Sequence, residues 1–105
     1  MKALLTLTLA SVLVAITAVA GAASSGEAEA LTALVRQDCG SCHGLTLQGG
    51  LGPALTPEAL EGKPDEMLIT AIMKGRPAAA MPPWEGILER DEARWIVEQL
   101  KAGLQ

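Results

Sequence analysis

Apolar residues recur in this chain with the spacing of α-helices. Residues 29–39 predict a first helix, because their apolar side chains lie three or four positions apart and so share one face. Cys39 closes that face, so the helix is expected to end with this cysteine on its buried side. The members of the face are Leu31, Leu34, Val35 and Cys39.

Two longer helices are predicted in the second half of the chain. One spans about residues 64–74 and is followed by Gly75, a residue that commonly ends helices. The other begins near residue 89 or 90, has acidic residues in its first turn, where the helix dipole favours them, and ends at Gly103. Their apolar faces are Leu68, Ile69, Ile72 and Met73 in the first, and Ala93, Ile96, Val97 and Leu100 in the second.

The segments between these helices have the composition of loops. Residues 44–56 contain four glycines and a proline, which excludes a regular element. Thr56 and Pro57 predict an N-cap with proline in the first helical position, so a short helical turn should reach about Leu60. Residues 76–84 contain three prolines and predict a constrained, extended loop. No segment alternates as a strand would, and the predicted fold class is all-α.

The N-terminal segment has the layout of a secretory signal peptide. Lys2 precedes an apolar stretch that ends in the small residues Ala18-Val19-Ala20. We therefore expect residues 1–20 to be cleaved, residues 21–27 to form a flexible leader, and residues 28–105 to form one exported domain. An uncleaved membrane anchor is the alternative, but the stretch is diluted by hydroxylated residues and has no second positive flank.

Charge and aromatic content narrow the possible functions of the remaining domain. Without residues 1–20 the chain has seven Lys or Arg against twelve Asp or Glu, a net charge of -5. This balance argues against nucleic acid as a partner and favours a basic surface on a partner protein. The chain has no Phe or Tyr, and Trp84 and Trp95 are its only aromatic residues. A cofactor with a large apolar surface would therefore complete a small core.

All of the cysteine and histidine side chains lie within "CGSCH", residues 39–43. C-x-x-C-H is the attachment signature of haem c, in which Cys39 and Cys42 form thioethers with two vinyl groups and His43 binds the iron. A disulfide would close a very small loop and stabilise little. A thioredoxin-like pair requires strands, and a zinc site requires a fourth ligand, which here would have to be a carboxylate.

A six-coordinate iron would need a second axial ligand from elsewhere in the chain. No second histidine exists, so the candidates are Met67, Met73 and Met81. Met67 and Met73 fall within a predicted helix, where methionine more often fills a core. Met81 precedes two prolines that stiffen the backbone, so its thioether can be fixed in a loop. A His/Met pair raises the reduction potential and suits electron transfer.

Three other residues are candidates for contacts around the haem. The backbone carbonyl of Pro53 would accept the second ring N–H of His43 and so orient the imidazole. Trp84 would pack on the haem edge or donate its indole N–H to a propionate, and Arg76 would pair with a propionate. Ordinary packing and surface positions are the alternative for Trp84 and Arg76.

Three stretches, "CGSCHGLTLQGGLGPALTPEAL", "MPPW" and "EARWIVEQL", resemble the small monohaem class I cytochromes c. The closest resemblance is to the cytochrome c55X group, which is associated with cytochrome cd1 nitrite reductase in denitrifying bacteria. It covers about residues 38–100. It implies helices wrapped around one covalent haem, with Cys39 and Cys42 as thioethers, His43 and Met81 as axial ligands, and the Pro53 carbonyl as the partner of His43.

The resemblance also implies a function and a location. A member of this group would be a periplasmic electron carrier, not an enzyme, and would either donate electrons to the nitrite reductase or serve in that enzyme's maturation. A third hypothesis is a haem peroxidase or gas sensor in which Met81 dissociates. It is disfavoured because the chain has no distal histidine to act as an acid or base.

Overall fold

The computed structural model describes residues 13–15 and 23–104. Most of the predicted signal peptide, including its cleavage site, therefore lies outside the described residues. Within them the chain is helical, and its strand-like pairings are limited to two isolated bridges, Arg76 with Met81 and Glu85 with Leu88. The all-α prediction is confirmed. The helical elements are α1 (Ser25–Leu34), a π-helical turn (Val35–Cys39), α2 (Gly40–His43), α3 (Pro57–Leu60), α4 (Asp65–Lys74), a 3-10 turn (Pro77–Ala79) and α5 (Arg90–Ala102).

Helix α1 begins at Ser25, inside the segment 21–27 that was predicted to be a flexible leader. The side chain of Ser24 caps the helix, because its hydroxyl oxygen accepts a hydrogen bond from the Glu27 N–H at 3.3 Å. The predicted boundary was therefore three residues too late.

The first helical stretch also ends later than predicted. After α1 the helix widens into the π-helical turn, where the Gly40 N–H donates to the Val35 carbonyl, and it continues as α2 to His43. Cys39 packs against the core, on the face where the sequence pattern placed it. All of the C-x-x-C-H motif therefore lies on helical backbone, and π-helical turns of this kind are frequent at functional sites.

The core forms where α1, α3 and α4 pack against α5. Five of its side chains are almost completely inaccessible to solvent, namely Val35, Ile69, Ala93, Ile96 and Val97. The apolar face predicted for α5 is buried in full. Three loop residues complete the core, and helical periodicity did not predict their burial: Leu47, Leu88 and Leu104.

The helix ends agree with the predicted capping. Thr56 accepts a hydrogen bond from the Ala59 N–H and Pro57 opens α3. Helix α4 follows Pro64 and stops at Gly75. In α5, Glu89 and Glu92 form a capping box, and Gly103 ends the helix in the left-handed conformation.

Exposed ion pairs join α4 to α5. Glu66 pairs with Arg90 and Arg94, and Asp65 pairs with Lys101. Such exposed pairs contribute little individually, so burial of the apolar faces is what mainly stabilises this contact. No helix in the described part of the chain has the length and apolar character needed to cross a membrane.

Candidate functional site

The cysteines of the C-x-x-C-H motif differ in exposure. Cys39 is half-buried, Cys42 is exposed, and both are free thiols in the structure. Burial raises the pKa of the Cys39 thiol, and the neighbouring Asp38 carboxylate raises it further. Cys39 is thus held as a neutral thiol, whereas Cys42 faces solvent.

The glycine-rich loop after α2 folds back onto the end of that helix. The Gly49 N–H donates to the His43 carbonyl and the Gly52 N–H donates to the Cys42 carbonyl, each at 2.8 Å. Leu47, with a φ of 60°, turns inward, and its carbonyl accepts the Leu55 N–H. The loop thereby satisfies carbonyls that the end of α2 would otherwise leave unpaired.

The ring of His43 has a defined orientation. Its Nδ1 lies 2.6 Å from the Pro53 carbonyl oxygen. A carbonyl oxygen only accepts hydrogen bonds, so Nδ1 donates its proton and Nε2 keeps a lone pair for a metal. The ring also packs against Gly52, where a Cβ would come within 2.9 Å of its Nδ1 and Cε1 atoms. The loop therefore restrains the imidazole by a hydrogen bond and by close contact.

Met81 lies in the proline-rich loop and is fixed through its backbone. Its N–H donates to the Arg76 carbonyl at 3.2 Å, and its carbonyl accepts the Arg76 N–H at 2.8 Å. The 3-10 turn lies between these two residues. These two hydrogen bonds close the loop around the 3-10 turn, with Arg76 before the turn and Met81 after it.

The same loop is tied to the end of α4. The Trp84 N–H donates to the Ile72 carbonyl at 3.0 Å, and the Glu85 N–H donates to the Met73 carbonyl at 3.1 Å. Outside these bonds, the Lys74 ammonium pairs with both carboxylate oxygens of Glu85, at 2.7 and 2.8 Å. The loop that contains Met81 is therefore connected to the last turn of α4 by backbone and side-chain bonds.

The candidate methionines occupy different environments. Met73 is buried in the core, with 9% of its surface accessible, so its side chain is packed by protein. Met67 is 48% exposed on α4. Met81 is half-buried and lies outside the helices.

The other predicted contact residues lie on the same loop as Met81. Arg76 is exposed and is paired with Met81 through the backbone, while Trp84 is half-buried and packs against the core. Cys39 packs against the same core. The C-x-x-C-H motif and the loop that contains Met81 are therefore both packed against the same core.

The donor set fits haem attachment better than a bare metal ion. Two free thiols three residues apart are followed by an imidazole whose Nδ1 is engaged and whose Nε2 is available. In the described part of the chain, no three His, Cys, Asp or Glu side chains gather as they would around a zinc ion. The chemistry of these groups matches the needs of a thioether-linked haem.

Comparison with known proteins decides the family. The family model described as cytochrome C oxidase, cbb3-type, subunit III matches residues 26–99. Cytochrome c55X of Paracoccus denitrificans is 50% identical over 94 residues, which are 90% of this chain and 91% of that protein. The chain belongs to the class I c-type cytochromes, in the c55X group. Cytochrome c55X of Pseudomonas aeruginosa is 61% identical over 70 residues, which are 67% of this chain and 59% of that protein.

Solved structures agree with this assignment. The c-type cytochrome NirC superposes with a TM-score of 0.75 at 54% identity, over 77% of this chain and 95% of NirC. A part of the dihydro-haem d1 dehydrogenase NirN, solved in complex with DHE, superposes with a TM-score of 0.60 at 39% identity. That match covers 66% of this cytochrome and 15% of NirN. The family and its relatives imply a covalently bound haem c with its iron.

Sequence reasoning missed two glycines that pack against the candidate ligands. Gly52 touches the His43 ring, and Gly75, expected only to end α4, lies against the backbone of residues 81–83. Neither contact has a signal in the sequence, because glycine is common in loops and only the folded chain shows what lies beside it.

Proposed function

We propose that this cytochrome carries single electrons, with His43 and Met81 as the axial ligands of its haem iron. Cys39 and Cys42 supply the thiols for the thioether bonds, His43 presents Nε2, and Met81 presents its thioether sulfur. When bound, the haem iron supplies reversible one-electron chemistry, and histidine with methionine raises its potential. A fully ligated iron favours electron transfer over binding of oxygen or peroxide.

The backbone environment of Met81 is the observation that supports this proposal most. A thioether has no hydrogen-bond donor and only a weak acceptor, so a methionine ligand must be positioned by its backbone. Met81 has both backbone groups paired with Arg76 and is followed by two prolines. Met73, in contrast, is packed within the core. Met81 thus combines a defined position with a side chain that the core does not use.

An optical spectrum of the oxidised protein tests this ligation. We expect a methionine-to-ferric-iron charge-transfer band in the far red, present in the wild type and in Met67→Ala and absent in Met81→Ala. The reduced wild type should bind carbon monoxide poorly. A wild type that lacks the band and binds carbon monoxide readily contradicts the carrier function and favours the peroxidase or sensor alternative.

We further propose that the protein works in the periplasm after cleavage of residues 1–20. The apolar stretch and its small-residue end support export, and thioether-linked haem suits a secreted protein. The mass of the protein purified from the periplasm tests both points. It should equal the chain from residue 21 onward plus one haem, and a mass that includes residues 1–20 contradicts cleavage.

The proposed electron acceptor is cytochrome cd1 nitrite reductase. The net negative charge of the domain suits a partner with a basic docking surface. Near Met81, the side chains of Ala78, Ala79 and Ala80 are exposed and small, which allows a partner to approach closely. This stretch is the proposed edge for electron exit.

Stopped-flow oxidation of the reduced cytochrome by the nitrite reductase tests that edge. Ala79→Glu should slow the second-order step severalfold at high salt, where screening removes the attraction of the new carboxylate for a basic partner surface and the larger side chain still prevents close approach. Ala30→Glu, which adds the same charge on an exposed position of α1, is the matched control. Equal rates for wild type and both variants contradict this docking edge.

Maturation of the same reductase is a second candidate, favoured by one observation. The dihydro-haem d1 dehydrogenase of Pseudomonas aeruginosa is 40% identical to 74% of this chain, over 16% of its own length. A domain like this cytochrome thus occurs in an enzyme named for haem d1 chemistry. A deletion strain separates the candidates: a reductase fully loaded with haem d1 but short of electrons supports the donor function, and a reductase lacking haem d1 supports maturation.

A further inference from the structure

Gly75 has a backbone conformation that other residues avoid. It directly follows α4 with a φ of 70° and a ψ of -176°. This region is essentially restricted to glycine, because a Cβ collides with the residue's own backbone there. The turn from α4 into the methionine loop therefore depends on this residue.

Gly75 also lies in close contact with the backbone around Met81. A Cβ at Gly75 would lie 2.5 Å from the Met81 carbonyl oxygen, and 2.7 Å from both the Pro82 carbonyl carbon and the Pro83 nitrogen. All three are backbone atoms, so no change of rotamer relieves the overlap. A side chain at position 75 has to displace the backbone of residues 81–83.

The segment that would be displaced has few other restraints. Met81 is hydrogen-bonded to Arg76 through the backbone, and the Trp84 N–H donates a hydrogen bond to the Ile72 carbonyl. Between them, Pro82 and Pro83 have no N–H to donate, and their side chains are exposed. Close packing against Gly75 therefore fixes the distance of this segment from the end of α4.

We propose that Gly75 is a positioning residue for the axial ligand Met81. Its missing side chain lets the backbone of residues 81–83 close onto α4, and that approach sets where the thioether lies. The inference rests on the proposed ligation by Met81. It assigns to Gly75 an effect on the strength of the iron–sulfur bond, in addition to its effect on folding.

The test uses the haem-loaded protein and three variants. In Gly75→Ala the contact is disturbed, and in Met81→Ala the ligand is removed. Gly62→Ala is the matched control, because Gly62 also has a positive φ, 73°, but a Cβ there would meet nothing within 4 Å. Imidazole affinity of the ferric protein and the charge-transfer band report the iron–sulfur bond, and far-ultraviolet circular dichroism reports folding.

The expected result separates strain from ligand positioning. Gly75→Ala should bind imidazole about tenfold more tightly than the wild type, which corresponds to about 1.4 kcal/mol of weakened methionine ligation. Its charge-transfer band should shift or weaken. Gly62→Ala should lose stability but keep the band and the imidazole affinity of the wild type.

Failure of the inference and failure of the proposed ligation give different results. If Met81→Ala binds imidazole more tightly than the wild type but Gly75→Ala does not, Met81 is the ligand and Gly75 has no positioning function. The same conclusion follows if Gly75→Ala and Gly62→Ala change equally. If Met81→Ala leaves band and affinity unchanged, the ligation itself is wrong and the inference falls with it.

A second variant applies if Gly75→Ala does not fold. Pro83→Gly adds no side chain at position 75 but loosens the segment that packs against it. We expect a folded protein with increased imidazole affinity. An affinity equal to that of the wild type overturns the inference, because the position of this segment would then not affect the ligand.

Discussion

The attachment motif and the methionine loop position their candidate ligands in different ways. In both, a loop folds back onto the last turn of a helix and pairs with its carbonyls, those of Cys42 and His43 in one case and those of Ile72 and Met73 in the other. The His43 side chain, however, is oriented by its own hydrogen bond to Pro53. Met81 is fixed through its backbone.

The chemistry of the two side chains explains this difference. An imidazole has a second nitrogen whose proton can be bonded by the protein, so its orientation can be set at the ring itself. A thioether has no such group, so its position follows from the backbone and from packing. Substitutions near His43 should therefore alter the orientation of the imidazole ring, and substitutions near Met81 should alter the position of the loop backbone.

The largest expected effects come from replacing Met81, the proposed ligand, or Met73, a core residue, by alanine. Met81→Ala should lower the midpoint potential by more than about 0.1 V, within the range of about 0.8 V that axial ligands control. Met73→Ala should leave the potential nearly unchanged but reduce the free energy of unfolding by about 2–5 kcal/mol, because it creates a cavity in the core. Potentiometry and denaturant titration measure the two quantities, and a drop in potential for Met73→Ala alone would reverse the assignment.

A side chain at Gly52 should disturb the histidine side of the site. Gly52→Ala places a methyl group against the His43 ring and should reduce the free energy of unfolding by about 1–3 kcal/mol. Gly26→Ala, at a helical glycine where a Cβ meets nothing within 4 Å, should instead raise it by up to about 1 kcal/mol. An equal change in the free energy of unfolding for both variants would show that the contact with the His43 ring does not affect stability.

Loss of the capping box at α5 provides a reference outside both loops. Glu89→Ala removes the side chain that accepts a hydrogen bond at the start of the helix. It should reduce the free energy of unfolding by about 0.5–2 kcal/mol and leave the potential unchanged. A shift in potential comparable to that of Met81→Ala would show that the ligands respond to any loss of stability.

The smallest effect is expected for the ion pair beside the methionine loop. Lys74→Gln removes the pair with Glu85, whose side chains are 63% and 57% exposed. The free energy of unfolding should fall by less than about 1 kcal/mol, and the difference should shrink at high salt because screening weakens exposed pairs. A larger, salt-independent loss would show that the pair is needed to hold the loop.

The helices and the attachment motif were predictable because their signals are local. The apolar face of α5, the Thr56 cap and the C-x-x-C-H spacing each depend on residues a few positions apart. The start of α1 was misplaced because a single serine hydroxyl decides it. The π-helical turn, the burial of Leu47 and the contacts of Gly52 and Gly75 depend on residues that meet after folding, and no pattern in the sequence encodes them.

Proton NMR of the reduced protein reports directly whether Met81 binds the haem iron. The methyl group of a methionine whose sulfur binds haem iron lies over the macrocycle, whose ring current shifts its signal far upfield of other aliphatic protons. With carbon-13 in the methionine methyl groups, we predict one such signal, present in Met67→Ala and Met73→Ala and lost in Met81→Ala. The absence of an upfield methyl signal in the wild type, or its persistence in Met81→Ala, contradicts ligation by Met81.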